Sequence, residues 1–225
     1  MNKLQLVVKT MDECRIPGTR PTTLTGTLSR QVELFVHWID QAWSEIQTAH
    51  DDWDFLQDEF TFQTVPSTEV YTVSDAGITD RRHWLTDTFR CYKTSIGKSD
   101  DMWLFEWDYS AFRDTYQFGS QVPSRPVNFT VRPRDSALIL GPVPDDIYTV
   151  YGEYRKVPQV LVDDTDEPLI KAHLQPVIVY KAMTFYGLEQ SAAEVLTRGE
   201  AGFMRLMTAM EREELPKVSF GNPLA

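Results

Sequence analysis

The sequence predicts an α+β fold in which N- and C-terminal helices form one helical bundle and an antiparallel, β-rich region is inserted between the second and third helices. Three observations predict it. Apolar residues recur at three-and-four spacing near both ends of the chain. The middle, from about Glu59 to Lys156, is rich instead in aromatic and β-branched residues. Pro and Gly punctuate that middle, at Pro66, Gly77, Gly97, Gly119, Pro123, Pro126, Pro133, Gly141, Pro142 and Pro144.

The first helix is expected over residues 3–15, with Leu4, Val7, Val8 and Met11 on one side. Ile16–Thr27, with Pro17, Gly18, Pro21 and Gly26, reads as a loop. Ser29 is placed to cap a second helix that runs to about His50, with Glu33 near its first turn. Val32, Phe35, Val36, Ile39, Ala42, Trp43, Ile46 and Ala49 mark the main face of that helix. Leu34 and Trp38 lie on a second face and are assigned to subunit packing, because a two-faced helix meets more than one neighbour. Trp53 and Phe55 are expected to tuck under its end.

Strands are expected at Phe60/Phe62, Val70–Val73, Met102–Trp107, Val127–Arg132, Ala137–Leu140 and Ile147–Tyr154. The run GPVPDD between the last two is a turn, because Pro fixes φ and carries no N–H. Ala137–Tyr154 therefore reads as a hairpin. Tyr109–Phe118 is a short helix candidate. Met102–Trp107 reads as a buried strand.

Helical signals return at Pro168, which follows the acidic Asp166 and Glu167. Pro176 would kink or restart that helix, Leu174, Ile178, Ala182 and Phe185 mark its face, and Gly187 ends it. The last helix, about Gln190–Glu213, carries Ala192, Val195, Leu196, Gly199, Phe203, Leu206, Met207 and Met210. The expected domains are a discontinuous helical bundle over 1–58 and 160–214, an inserted β-rich domain over 59–159, and a flexible tail over 215–225.

Composition narrows the function classes. Lys and Arg number 22 against 33 Asp and Glu, a net charge of −11, which argues against sequence-reading nucleic-acid binding. Cys14 and Cys91 cannot build a disulfide framework and match no metal spacing, so both read as reduced structural thiols. The N-terminal apolar run is too short for a signal peptide, and no window approaches the ~18 apolar residues of a membrane span. The chain is expected to be made in the cytoplasm and to stay soluble.

Chemistry is hard to find. G-x-G-x-x-G, a P-loop, H-E-x-x-H and G-x-S-x-G are all absent. His37, His50, His83 and His173 share no ligand spacing. The adjacent pairs Asp51/Asp52, Asp100/Asp101, Asp145/Asp146 and Asp163/Asp164 read as turn residues. DDTDE near residue 165 lacks the Gly and distal Glu of a calcium loop. Cys91 lacks a partnered His. The expectation is no catalytic, cofactor-binding or metal-ligating residue, and no enzyme. The competing enzymatic reading is a carbohydrate-active tail protein built around Trp103, Trp107 and the nearby Asp residues.

Three blocks carry a resemblance. They are RQVELFVHWIDQAWSEIQTAHDDWDFL at Arg30–Leu56, ILGPVPDDIYTVYGEYRKVPQVL at Ile139–Leu161, and the D-x-P junction at Asp166–Pro168 followed by an apolar helix through Tyr186. In this order and spacing the chain resembles the head–tail adaptor (connector) proteins of tailed bacteriophages, particularly those of short-tailed phages. The resemblance implies a structural virion protein in the neck between head and tail. It implies a homo-oligomeric ring, usually a dodecamer, that docks on the portal protein after packaging, extends the DNA channel and gives a tail or nozzle protein its attachment platform. Double-stranded DNA would pass through without sequence-specific binding. Val218, Phe220 and Leu224 in the tail are the expected portal contacts. A tail-tube or nozzle component is the alternative within the same class.

Overall fold

The structure is a computed structural model that describes residues 1–119 and 121–216. Two compact units divide the chain: Met1–Leu56 joined with the chain from Pro158 onward, and Gln57–Val157. The β-rich unit thus interrupts the helical one between its second and third long helices.

The helical unit holds α1 (Lys3–Glu13), α2 (Arg30–Thr48), α4 (Pro176–Glu189) and α5 (Ala193–Glu214). α1 starts with a capping box: the Asn2 side chain accepts from the Gln5 N–H at 2.9 Å, and Gln5 Oε1 accepts from the Asn2 N–H at 3.0 Å. Ser29 caps α2, its Oγ accepting from the Val32 N–H at 3.4 Å. α4 is the central member and packs against α1, α2 and α5. Its buried positions, Val177, Ile178, Val179, Ala182, Met183, Thr184 and Gly187, go round the helix, as expected of an element with neighbours on several sides.

The end of α2 is closed by aromatics. Trp53 is fully buried and donates from Nε1 to the Ile46 carbonyl at 3.0 Å. Phe55 stacks between Trp43 and Trp53, with centroids 5.8 and 5.5 Å away. A buried lysine ties three segments together: Lys3 Nζ meets Asp40 Oδ1 at 2.9 Å and donates to the Leu161 carbonyl at 2.7 Å. That ammonium is in effect held by α1, α2 and the segment entering α4, where its donors are satisfied away from water.

The helix expected from Pro168 begins instead at Pro176. Asp166 is already engaged, because its Oδ2 accepts from the Val162 and Asp163 N–H groups at 2.7 and 2.8 Å, which closes the preceding turn. Pro176 lacks an N–H and suits the first turn of a helix, where none is needed.

The β-rich unit holds two four-stranded sheets. One has the order β1 (Gln57–Gln63), β8 (Tyr148–Lys156), β3 (Arg81–Lys93), β4 (Met102–Trp103). The other has the order β2 (Val70–Tyr71), β7 (Leu138–Gly141), β6 (Asn128–Val131), β5 (Phe105–Glu106). All pairings are antiparallel except β5 with β6. The core of this unit includes Phe60, Phe62, Trp84, Phe89, Phe129, Leu138, Leu140 and Val150. Phe89 stacks on Phe129 at 4.7 Å and meets Phe60 edge-on at 5.0 Å.

Three expectations for this unit need correction. The hairpin over Ala137–Tyr154 does not form: β7 pairs with β6 and β2, while β8 pairs with β1 and β3. GPVPDD carries the chain from one sheet to the other. All four residues of β7 are buried, so that strand has no solvent face to set a register with its sequence neighbour. The longest strand, β3 (Arg81–Lys93), is expected only at its end, where Cys91 in FRCYK reads as strand. The rest is not expected because charged residues and a register shift between Leu85 and Arg90 break its alternation. Met102–Trp107 is not one buried strand. It splits into β4 and β5, one in each sheet, and Leu104 alone is buried while Met102, Trp103, Phe105 and Trp107 are exposed.

The helix expected over Tyr109–Phe118 is α3 (Tyr109–Phe112) followed by a π-type turn at Arg113–Gln117. Asp108 caps it, its Oδ1 accepting from the Ser110 N–H at 2.9 Å.

Candidate functional site

Three features of the surface could meet other molecules, two in the helical unit and one in the β-rich unit. In the helical unit, Leu34, Trp38, Arg30, Gln31, Tyr186 and Gln190 line a groove of about 290 Å³. Its floor is a tight aromatic cluster. Phe35 meets Trp38 edge-on at 5.0 Å and stacks with Tyr186 at 5.7 Å, and Trp38 meets Tyr186 edge-on at 5.9 Å. Trp38 is only 5% exposed, so its ring belongs chiefly to the core of its own unit. Leu34, half-buried one turn away, forms the apolar wall of the groove. Periodicity separates the two residues from the main stripe of α2. It does not say that Tyr186 of α4 comes to meet Trp38.

α5 packs on α4 through close backbone approach at Gly199 and Gly202. Beyond that seam its apolar residues are only partly covered. Val195, Phe203, Leu206 and Met207 are half-buried, and Met204 is 68% exposed. Arg198 donates to the Glu13 carbonyl and links α5 to the end of α1.

In the β-rich unit, Met102 and Trp103 of edge strand β4, Phe105 of edge strand β5 and Trp107 just after it form an exposed apolar run. Phe105 is 62% exposed. Exposed aromatics at a sheet edge mark contact surfaces on soluble proteins. Arg90 lies over the Trp103 ring at 4.4 Å and pairs with Asp101 at 2.6 Å, which fixes the indole in place. Alternation of large apolar residues with Glu106 and Asp108 points to a strand with one buried face, and the exposure of all of residues 105–108 is what the sequence does not signal.

The titratable groups describe structural work. Burial pushes the Cys14 thiol up to about 12, against the opposing pull of Arg198. Burial likewise raises Cys91, and Arg125 opposes it only in part, so neither thiol is activated. Asp100 is held below the usual carboxylate range by the Lys93 N–H and by Arg125, and Asp146 by Lys93. Asp108 is held low by Ser110 and the N–H groups it caps. Asp164 is held low by Thr23 and the Leu24 N–H, which pin the loop after α1. His37 is exposed, while His50 and His173 lie 3.1 Å from Glu211 and Glu213 near the end of α5. Among the described residues no group of three or more His, Cys, Asp or Glu could hold a metal ion. None of their helices is long and apolar enough to cross a membrane. Val218, Phe220 and Leu224 lie outside the described residues.

The family model described as SU10 adaptor protein matches residues 1–221. The chain belongs to this family. It is a phage head–tail adaptor protein. A comparison with curated proteins finds no match. The adaptor family is structural and is not an enzyme class, which agrees with thiols and carboxylates engaged in packing, caps and turns.

Proposed function

We propose that this adaptor forms a ring, most simply a dodecamer, in the virion neck. It docks on the portal protein, extends the DNA channel and offers the platform to which a tail or nozzle protein attaches. The observation that carries this reading is the family match over residues 1–221. The partly covered stripe of α5 and the groove beside Leu34 and Trp38 support the helical unit as the side that packs against copies of the chain, since a ring needs two different patches per subunit. The exposed run Met102–Trp107 supports contact with the tail component.

A net charge of −11 supports free passage of DNA, because carboxylates near a channel repel phosphates and leave no counterions to release. The adaptor does this work without a cofactor and without catalysis. Val218, Phe220 and Leu224 of the tail serve as apolar portal contacts.

Native mass spectrometry of the adaptor with and without purified portal tests the reading. A ring mass retained on the portal is the expected result. A ring that forms but is not retained moves the protein to the tail tube or nozzle. Cryo-electron microscopy showing a solitary copy in the neck overturns the ring. Deleting residues 215–225 is expected to weaken portal binding, and unchanged binding removes that role from the tail.

A further inference from the structure

The outer face of the β1–β8–β3 sheet carries a recess of about 590 Å³ that the adaptor reading does not use. Its making can be traced to the register shift in β3. Leu85 pairs with Glu153, but the next pair along is Arg90 with Tyr151. The extra residues lift out of the ladder, and Thr88 replaces the missing backbone partner. Its Oγ1 accepts from the Glu153 N–H at 2.9 Å and donates to the Leu85 carbonyl at 2.7 Å. A bulge of this kind opens a sheet and aims side chains that regular pairing would stack.

Two carboxylates face each other there. Glu59 of β1 is directly opposite Glu153 of β8, and both line the recess. Like charges at directly opposed positions of an antiparallel pair repel. Gln57 donates an amide hydrogen bond to Glu153, and among the described residues neither glutamate has an ion-pair partner. Tyr92 and Tyr151 form an aromatic wall, with ring centroids 6.1 Å apart. That wall already accepts a cation on one side, where Lys98 Nζ stands 5.7 Å from the Tyr151 centroid.

We propose that this recess binds the guanidinium of an arginine presented by a protein partner, which bridges Glu59 and Glu153 and stacks on the tyrosines. Three facts select this guest. A neutral ligand such as a sugar leaves the opposed carboxylates uncompensated. A divalent metal wants more ligands, and no third His, Cys, Asp or Glu joins the pair among the described residues. A guanidinium is planar, carries a fork of donors that matches carboxylates, and stacks on aromatic faces. The inference goes beyond the adaptor reading and does not depend on ring formation.

The test uses the full chain and a neutral-backbone probe, acetyl-Gly-Arg-Gly-amide, titrated by NMR against acetyl-Gly-Gln-Gly-amide. Saturable shifts at Glu59, Tyr92, Tyr151 and Glu153 with the arginine probe, in the millimolar range, are the expected result. The Glu59→Gln/Glu153→Gln variant, which removes both charge-assisted contacts, is expected to bind more weakly by well over about tenfold, the scale of a single lost charge-assisted hydrogen bond. Its melting temperature is expected to be equal or higher, because the repulsion is gone. The single Glu59→Gln variant, at an exposed site, is expected to show the same directions and keeps the test open if the double variant does not fold. Equal shifts with the glutamine probe, or variant binding as tight as that of the parent chain, overturn the proposal.

Discussion

The ring of Tyr180 occupies the space that a β-carbon on Gly202 would need: such an atom would stand 2.4 Å from the ring's Cδ1. α4 and α5 can approach so closely only because position 202 carries no side chain. The seam continues one turn earlier, where a β-carbon on Gly199 would meet the Tyr180 carbonyl at 3.1 Å.

Gly202→Ala is therefore expected to destabilise the adaptor. In an exposed helix the change would stabilise by up to ~1 kcal/mol through propensity. Here overpacking against Tyr180 costs about 1–3 kcal/mol and reverses the sign. Urea denaturation of the two proteins measures the difference, and a more stable alanine variant would show that Tyr180 can move aside.

The Lys3–Asp40 contact makes an asymmetric pair of predictions. Lys3 is 8% exposed and Asp40 39% exposed at the side chain. Asp40→Ala leaves the buried ammonium with the Leu161 carbonyl alone and is expected to cost about 2–3 kcal/mol, less than a fully buried pair because water screens the aspartate. Lys3→Met removes the charge itself and is expected to cost less. Comparing both variants by chemical denaturation decides it, and equal losses would mean that the charge matters little.

Thiol chemistry should follow burial. Cys14 and Cys91 are both buried and both raised by desolvation, Cys14 to about 12. Native protein at pH 8 is expected to resist alkylation, and urea is expected to release both thiols. The linkage sign follows from a folded pKa above the unfolded one: the contribution is full below the ordinary thiol value of 9.0 and is lost as pH rises toward about 12. Melting temperature should fall across that window, and Cys14→Ala should flatten the slope.

Phe105 separates contact from stability. At 62% exposure, Phe105→Ser is expected to shift the unfolding free energy by no more than about 0.5 kcal/mol. Complementation of an adaptor-deficient phage with this variant should nonetheless lower the yield of tailed particles. A normal yield would remove the edge of β5 from the assembly surface.

The helical flanks were legible in the sequence because local rules govern them. The stripe of α2 follows from the 3.6-residue period and the Ser29 cap from its residue type just ahead of that stripe, whereas the tuck of Trp53 has no periodicity behind it and is decided by the bond from its Nε1 to the Ile46 carbonyl. The first turn of α4 was misread because Asp166 could cap either a turn or a helix, and only the positions of the Val162 and Asp163 N–H groups choose between them. The recess at Glu59 and Glu153 left no sequence signal at all, since the two residues are far apart in the chain and meet through strand pairing.

The sequence by itself determined that helices flank a strand-rich insertion, that no familiar catalytic or phosphate-binding motif is present, and that the chain carries a large negative charge. The tertiary structure decided which strands pair, which aromatics stay exposed and where α4 and α5 touch. The reason is the range of the forces involved. Helix periodicity and caps act between near neighbours in the chain. Sheet partners are chosen by burial among segments far apart in sequence, so β7 and β8, separated by a single turn, end in different sheets.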